Sequence, residues 1–211
     1  MSKKEELNKL EKKMAKDDSL PLQESNLVFG EGDPETDILF IGEGPGFYED
    51  RAERPFVGRA GQLLDKLIKG NDWSRENIYI TNILKRRPPN NRDPLPEEIE
   101  AYKPYLKLQI RIINPKIIVP LGRFAMNYFL PDAKISRDQG KAFWLKDKLI
   151  FPIYHPAAGL RNTSVLDNTR ESFEKLKKVV EKYDELVEER EIKRKETEGN
   201  KETEKKEQSL F

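Results

Sequence analysis

A carboxylate and three glycines follow the first strongly apolar run of the chain. Residues 38–41, Ile-Leu-Phe-Ile, lead directly into the loop 42–46, Gly-Glu-Gly-Pro-Gly. Glycine lets the backbone approach a ligand closely, so the loop is typical of a ligand-binding turn after a buried strand, with Glu43 as its charged group. The glycine spacing fits neither the dinucleotide fingerprint nor the Walker motif, which disfavours a phosphate cradle. Taken alone, Glu43 is also compatible with a solvated turn.

Three further apolar runs follow at residues 78–80, 117–119 and 149–153, with helical periods between them. This alternation predicts an α/β layer fold with a mainly parallel sheet. In such sheets ligands bind beyond the carboxyl ends of the strands. Glu43, Asn82 and His155 come just after three of the four runs. They offer a carboxylate, a carboxamide and an imidazole, which suit a planar heterocycle.

Two of these side chains also have ordinary structural interpretations. His155 is the only histidine of the chain, and a lone histidine is more often a surface or satisfied core residue than a functional one. Asn82 is equally compatible with a strand-end cap or a turn. Their alignment with Glu43 at one edge of the predicted sheet favours the functional interpretation.

Several separate motifs, in one order, resemble the uracil-DNA glycosylases of the thermostable iron–sulfur class, family 4. The resemblance runs from about residue 17 to about residue 187. It is carried by the loop 42–46, Glu49-Asp50, the segment 55–64 (Pro-Phe-Val-Gly-x-Ala-Gly-x-Leu-Leu), Tyr79-Ile80-Thr81-Asn82 with Lys85, Arg87-Pro88-Pro89, Asn91-Arg92, Pro94, His155-Pro156-Ala157 and Leu160-Arg161.

The resemblance implies a pocket for a uracil base that has been flipped out of DNA, because the scissile bond is buried in the base stack. Phe56 would stack on the uracil and Asn82 would bind its polar edge. The backbone amide of Gly44 would hold a carbonyl oxygen. Glu49 would lie against the C5 edge of the base and exclude the methyl group of thymine.

The resemblance also implies the catalytic pair. His155 would donate a hydrogen bond to the uracil O2 as negative charge builds on the leaving base, and Glu43 would position water and stabilise the positive sugar. Cleavage of an N-glycosidic bond requires groups of these two kinds, a donor for the anionic base and a carboxylate for the oxocarbenium-like sugar. The chain has no cysteine and one histidine, which makes a zinc deaminase an unsuitable alternative.

Contacts to the DNA backbone are expected from two segments. The basic loop that follows Asn82 supplies Lys85, Arg87 and Arg92 for phosphate contacts; an ordinary solvated turn is the alternative interpretation of this loop. After His155, Leu160 could fill the gap that the flipped base leaves and Arg161 could hold a phosphate. Gly159 stands where the family often has a bulky residue.

The main departure from the family concerns its iron–sulfur cluster. Family members carry four cysteines, and the corresponding positions here are Asp17, Leu20, Arg86 and Tyr102. A cluster needs thiolate ligands, so no metal or cofactor is expected at this place. If the backbone is kept, we expect the four side chains to be neighbours, with Asp17 paired to Arg86 and Leu20 packed on the ring of Tyr102.

Composition is compatible with a single catalytic domain. The chain has 211 residues, a formal net charge of +1 and no cysteine for disulfides. We expect a three-layer α/β/α domain with a central four-stranded, mainly parallel sheet over residues 1–187, and a charged extension, helical or disordered, over residues 188–211. No apolar segment approaches membrane-spanning length and no signal peptide is recognisable, so a cytoplasmic monomer is expected.

The function predicted from these observations is monofunctional hydrolysis of the N-glycosidic bond of uracil in DNA, leaving an abasic site. The alternative is a nucleic-acid-binding module of the same fold with weak or no catalysis. The last five residues, 207–211 (Glu-Gln-Ser-Leu-Phe), partly resemble the peptides that bind sliding clamps. A frayed terminus without a function is the other interpretation of that segment.

Overall fold

The apolar runs of the sequence form the strands of one sheet in the computed structural model. The structure describes residues 1–208, and the side chains of residues 1–196. The strands are β1 (Glu31–Gly32), β2 (Ile38–Gly42), β3 (Tyr79–Asn82), β4 (Ile117–Pro120), β5 (Phe143–Leu145) and β6 (Lys148–Ile150). The helices are α1 (Lys3–Ala15), α2 (Phe47–Ala52), α3 (Arg59–Gly70), α4 (Pro96–Ile113), α5 (Arg123–Phe129), α6 (Ile135–Asp138), α7 (Pro156–Gly159), α8 (Thr163–Glu181) and α9 (Tyr183–Gln208).

The sheet has six strands in the order β1-β3-β2-β4-β6-β5. The four inner strands are parallel, which confirms the predicted α/β class and its parallel core. The predicted number of four strands is wrong, because β1 and β5 add an antiparallel strand at each edge. These edge strands have two and three residues and no fully buried residue, so they carry no apolar run in the sequence.

Helices cover both faces of the sheet. Leu39 and Ile41 of β2 join a buried cluster with side chains of α1 and α4. Phe40 points to the opposite face, since successive strand residues alternate, and its ring stacks on Phe173 of α8 with the ring centroids 5.9 Å apart. This two-sided burial explains why β2 is apolar throughout, and it makes the architecture three-layered.

The chain divides into two compact units, Met1–Leu176 and Lys177–Phe211. The first unit contains the whole sheet and every predicted site residue. The division falls earlier than the predicted domain boundary at residue 187, which stays a prediction. No helix in the described part of the chain is long and apolar enough to cross a membrane. In the segment 207–211, which resembles clamp-binding peptides, residues 209–211 and the side chains of residues 207 and 208 lie outside the described part of the structure.

Candidate active site

A cavity of about 680 Å³ opens beyond the carboxyl ends of the parallel strands. Gly42 at the end of β2 pairs with Asn82 at the end of β3, so Glu43 and Asn82 enter the cavity from adjacent strands. His155 reaches the cavity after the segment that follows β6, where Ile153 bridges to Leu121. The three polar residues that were predicted to lie beyond the carboxyl ends of the strands therefore meet in one cavity.

The carboxamide of Asn82 is a buried polar group that lines the cavity. The residue is 1% exposed, and its Oδ1 atom has no hydrogen-bond partner among the described residues. Burial of a polar atom without a partner costs free energy, and few native groups are left in this state. An unpaired acceptor that lines a cavity is ready to accept a hydrogen bond from a ligand.

Phe56 forms a wall of the cavity next to Asn82. Its backbone is in the left-handed region, with φ +54°, which is unusual for a bulky residue. The guanidinium of Arg75 donates hydrogen bonds to the carbonyl of Phe56 and, at 2.9 Å, to that of Pro55, and so holds this conformation. Arg75 could not be predicted from the sequence, because it is a loop arginine that belongs to none of the motifs.

Gly42 leaves open the space between Phe56 and Asn82. A Cβ atom at Gly42 would lie 2.5 Å from Cζ of Phe56 and still closer to Oδ1 of Asn82. Real Cβ atoms are not found at such distances, so any larger residue here would push both side chains aside. The glycine thus keeps a slot with a flat apolar wall and an amide oxygen.

The ring of His155 faces Phe56, with the ring centroids 5.6 Å apart and the planes inclined by 30°. His155 is the N-cap of α7, and its Nδ1 atom accepts a hydrogen bond from the backbone amide of Ala157 at 3.2 Å. Burial lowers the pKa of the imidazole to about 4, Glu49 opposes the shift and Arg161 adds to it. Near neutral pH the ring is therefore uncharged.

Gly122 packs closely against His155. It has φ +87°, and a Cβ atom there would lie 2.9 Å from Cβ of His155. Glycine satisfies both constraints, because it adopts this backbone without strain and leaves room for the histidine. Gly122 lies two residues after the last residue of β4, at the carboxyl end of the strand, where ligand-binding residues are expected.

Glu43 is a carboxylate with a raised pKa. Burial is the main cause and the negative charge of Asp93 adds to it, while Arg123 opposes it, and together they raise the pKa of Glu43 to about 7. Asp93 and Arg123 form an ion pair with each other, and both line the cavity. Neither residue was predicted from the sequence, although Arg123 lies just beyond the carboxyl end of β4, at the start of α5.

Glu49 lines the cavity and holds two loops together. Its Oε1 atom accepts hydrogen bonds from the amides of Val57 at 3.0 Å and Gly58 at 2.8 Å, and its Oε2 atom accepts one from Gly46 at 3.2 Å. The carboxylate thus joins the loop before α2 to the segment that carries Phe56. The predicted contact of Glu49 with the C5 edge of a base stays a prediction. Gly44, whose amide was predicted to hold a carbonyl oxygen, also lines the cavity.

Lys85 corrects one prediction. It was expected to contact DNA phosphates, but its side chain is fully buried. The ammonium donates hydrogen bonds at 2.5 Å to Oγ1 of Thr81 and to Oε1 of Gln109, and burial lowers its pKa well below the usual value. A lysine held in this way is a core residue and is not available to a phosphate.

The other predicted DNA contacts lie at or near the cavity mouth. Arg92 and Arg161 line the cavity, and Arg161 is exposed. Arg92 is partly neutralised, since its Nη1 atom donates to Glu98 at 2.9 Å. Leu160 is 41% exposed at the end of α7. Arg87 donates from Nε to Oδ1 of Asn91 at 2.6 Å. Their contacts with DNA stay predictions.

The four positions of the family's cysteines are held by protein contacts of other kinds. Tyr102 is fully buried, and its hydroxyl donates to the carbonyl of Pro21 at 2.7 Å. Leu20 and Tyr102 belong to the same buried cluster, in line with the expected packing. Burial raises the pKa of Tyr102, and Arg86 beside it opposes the rise.

The expected pair of Asp17 with Arg86 is wrong. Asp17 accepts a hydrogen bond from the hydroxyl of Tyr105 at 2.6 Å, and Arg86 donates to the carbonyl of Ser25. Tyr105 is three residues after Tyr102, so it approaches Asp17 from the same face of α4, and it leaves Arg86 to bind a backbone carbonyl. An iron–sulfur cluster needs thiolate ligands, and none of the side chains at the four positions supplies one. In the described part of the chain, no group of acidic or histidine side chains could hold a metal ion either.

Comparisons with known proteins assign the chain to a family. Residues 29–182 match the family model of the Uracil DNA glycosylase superfamily. A Type-4 uracil-DNA glycosylase of Thermotoga maritima is 48% identical over 148 residues, which are 69% of this chain and 77% of the relative. One of Sulfurisphaera tokodaii is 45% identical over 165 residues, 74% and 75% of the two chains. One of Archaeoglobus fulgidus is 43% identical over 161 residues, 72% and 81%. With a cavity that unites Glu43, Phe56, Asn82 and His155, the chain belongs to the uracil DNA glycosylase superfamily.

Proposed function

We propose that this protein is a uracil-DNA glycosylase that hydrolyses the N-glycosidic bond of uracil in DNA and leaves an abasic site. The observation that carries the proposal is the buried Oδ1 atom of Asn82, which has no partner among the described residues and lines the cavity. The N3–H group of uracil is a donor of the kind that this acceptor lacks. Phe56 beside it offers a flat apolar face for the uracil ring, so a single slot provides both the acceptor and the stacking surface.

Base release requires that the bond between C1′ and N1 breaks and that its electron pair moves to the base. The negative charge that develops on the uracil O2 needs a donor. Because Nδ1 of His155 accepts from Ala157, the proton of the neutral ring is on Nε2, and this N–H is the donor that we assign to O2. One such donor is worth about 3 kcal/mol of transition-state stabilisation.

The sugar becomes positively charged as the base leaves, and water must attack C1′. We assign Glu43 to this side of the reaction. Its ionised form stabilises the oxocarbenium-like sugar and accepts a proton from the attacking water, whose oxygen then becomes the hydroxyl of the abasic site. A pKa of about 7 suits a general base that works near neutral pH.

The remaining roles belong to the same proposal. Glu49 lies against the C5 edge of the base, the amide of Gly44 holds a carbonyl oxygen, Leu160 enters the base stack and Arg161 contacts a phosphate. No iron–sulfur cluster takes part in the proposed reaction, because none of the residues at the family's four cysteine positions, Asp17, Leu20, Arg86 and Tyr102, lines the cavity. We also infer that the protein acts as a cytoplasmic monomer.

The test is excision from an oligonucleotide. Purified protein is incubated with a strand that contains one uracil, then treated with alkali, which breaks the strand at an abasic site. We expect cleavage at the uracil position and none in a strand with thymine in its place. Binding of the uracil strand without cleavage would contradict the proposal and favour a nucleic-acid-binding module that has lost catalysis.

A sliding clamp is the second proposed partner. The proposal rests on the sequence of residues 207–211 alone, in which Ser209, Leu210 and Phe211 match the peptides that insert an apolar plug into a clamp. Glu207 stands where those peptides usually have glutamine. A charged tether would allow the enzyme to reach DNA while it is bound. If deletion of residues 207–211 left the affinity for the cognate clamp unchanged, this partner would be rejected.

A further inference from the structure

Two adjacent aromatic side chains are exposed beside the cavity. Phe47 is 43% exposed and Tyr48 is 64% exposed, at the start of α2. Their ring centroids lie 5.5 Å apart with the planes inclined by 82°. The residues on either side of them in the chain, Gly46 and Glu49, line the cavity, so the two rings stand at its rim. Neither ring is used by the mechanism described above.

Two guanidinium groups accompany these rings. The Cζ atom of Arg51 lies 5.4 Å from the centroid of the Phe47 ring, and that of Arg87 lies 5.2 Å from it. Arg51 comes from α2, whereas Arg87 comes from the loop after β3 and is fixed by its hydrogen bond to Asn91. Two different segments therefore converge on one aromatic ring, which gives the surface a defined shape.

The two acidic residues of this segment, Glu49 and Asp50, use their carboxylates to accept hydrogen bonds from backbone amides. The side chain of Asp50 accepts a hydrogen bond from the backbone amide of Asn26 at 2.8 Å. Exposed flat rings with arginine beside them are the combination that binds unpaired nucleotides, since each base has a face that can stack and each phosphate is an anion.

We propose that Phe47, Tyr48, Arg51 and Arg87 form a platform that binds the unpaired nucleotide next to the uracil in a DNA strand. The base stacks on the aromatic rings and the guanidinium groups contact the flanking phosphates. The proposal rests on the proposed function, because the cavity fixes where the uracil lies and the platform at its rim then meets a neighbouring nucleotide.

The platform has a consequence for substrate choice. In a duplex the neighbouring base is already paired and stacked, so it gains little from a second aromatic surface. In a single strand the same base is free to stack on the rings. The platform therefore favours uracil in single-stranded DNA over uracil in a duplex.

The experiment combines changes in the DNA with changes in the protein. The probe is a single-stranded oligonucleotide with one 2′-fluorinated deoxyuridine, whose sugar resists the positive charge of the transition state and so stays intact. Two further probes carry a spacer without a base on the 5′ or the 3′ side of the uracil. Dissociation constants are measured for the wild type, for the double variant Phe47→Leu with Tyr48→Leu, and for Leu108→Ala as a control, because Leu108 is 37% exposed on α4 and does not line the cavity.

We expect one of the two spacers to weaken binding to the wild type about tenfold. The same spacer should have little effect on the double variant, and Leu108→Ala should behave as the wild type. Equal spacer effects in the wild type and the double variant would overturn the proposal, as would a wild type that is insensitive to both spacers. Thermal unfolding of each variant checks that the exposed substitutions leave the fold intact.

The guanidinium groups are tested by the salt dependence of binding. For a single strand the slope of log Kd against log salt changes by about 0.7 for each phosphate contact. Replacing Arg51 and Arg87 by glutamine should therefore reduce the slope by about 1.4. An unchanged slope would remove these two residues from the platform.

Failure of this proposal can be told apart from failure of the proposed function. Excision of ordinary uracil by the wild type is measured in parallel on the same sequence. A wild type that excises uracil but ignores both spacers retains its function and lacks the platform. A wild type that responds to a spacer but excises no uracil has the platform and is not a glycosylase.

Discussion

The Nδ1 atom of His155 accepts a hydrogen bond from the backbone amide of Ala157, 3.2 Å away, at the first turn of α7. This bond fixes the tautomer, because a ring nitrogen that accepts cannot carry the proton of a neutral imidazole. Burial lowers the pKa of the ring to about 4. Above this pH His155 is therefore neutral and presents Nε2–H to the cavity.

Replacement of His155 by alanine should slow uracil excision about 100-fold, since one donor to developing negative charge is worth about 3 kcal/mol. The variant should still bind a uracil strand, because Asn82 and Phe56 remain. Single-turnover rates on a uracil oligonucleotide measure the effect. A variant as fast as the wild type would remove His155 from the reaction.

The pH dependence of excision should follow Glu43. As a base it acts in its ionised form, so kcat/KM should rise with pH through about 7 and then level off. His155 adds no step in this range because it is already neutral. Measurements of kcat/KM between pH 5 and pH 9 would reveal this rise, and a profile that is flat through pH 7 would contradict the role of Glu43.

Substitutions in the ion pair of Asp93 with Arg123 test what raises the pKa of Glu43. Asp93 raises the pKa of Glu43 and Arg123 lowers it. Asp93→Asn should therefore move the rise in kcat/KM to lower pH, and Arg123→Gln should move it to higher pH. Asp167→Asn, in the exposed pair with Arg170 on α8, serves as a control that should leave the profile unchanged.

Replacement of Asn82 by alanine should slow excision but hardly change the stability of the fold. Its Oδ1 atom has no partner among the described residues, so Asn82→Ala removes a buried acceptor whose desolvation costs about 1–3 kcal/mol. This gain offsets the lost packing, and we expect the free energy of unfolding to change by less than about 1 kcal/mol. Excision should fall about 10- to 100-fold, as expected for one lost hydrogen bond to the base.

Asn71 offers the matched control for this prediction. It is also buried, but its Nδ2 atom donates to the carbonyl of Phe173 at 2.7 Å, away from the cavity. Asn71→Ala should lower the free energy of unfolding and leave excision intact while the protein is folded. If Asn82→Ala proved as destabilising as Asn71→Ala, Asn82 would be a structural residue.

The parts of the site that could be predicted from sequence are those that depend on local pattern. Glu43, Asn82 and His155 each follow an apolar run, and parallel strands bring such residues to one edge of the sheet. Lys85 was misassigned because its environment is tertiary: its partner Gln109 lies 24 residues away on α4. The residue type alone suggested a surface position.

The same reason applies to the supporting contacts. Arg75 holds the backbone of Phe56 from a loop 19 residues further along the chain, and no motif marks it. The pair of Asp17 with Tyr105 replaced the expected pair with Arg86, because several polar groups were available near one position and only packing decides between them. The edge strands β1 and β5 were missed because two or three residues give no period.

Glu49 should be needed for the shape of the pocket. Its carboxylate accepts from the amides of Gly46, Val57 and Gly58. Glu49→Gly leaves these donors without an acceptor and frees the segment of Phe56, so uracil excision should fall about tenfold or more. Glu49→Gln keeps an oxygen acceptor and should lose less. Rates on a uracil strand compare the two variants.

The proposed exclusion of thymine is tested on the same variants with a thymine strand. We expect Glu49→Gly to release some thymine, because this variant lacks the side chain that we propose to lie against the C5 edge, and we expect Glu49→Gln to release none. If neither variant released thymine while uracil excision continued, the methyl group would be excluded by another part of the cavity.

The last prediction concerns the region where family members carry cysteines. Tyr102 is fully buried, and its hydroxyl donates to the carbonyl of Pro21, 81 residues away in the chain. This bond ties α4 to the segment after α1. Tyr102→Phe leaves the carbonyl unpaired and should lower the free energy of unfolding by about 1–2 kcal/mol. Excision by the folded variant should be unchanged, because Tyr102 does not line the cavity.

Tyr48→Phe, which removes the hydroxyl of a tyrosine that is 64% exposed, is the control and should unfold as the wild type does. Chemical denaturation measures both variants. If Tyr102→Phe were as stable as the wild type, the hydroxyl would not contribute to holding this region, and the packing of Leu20 and its neighbours alone would account for its stability.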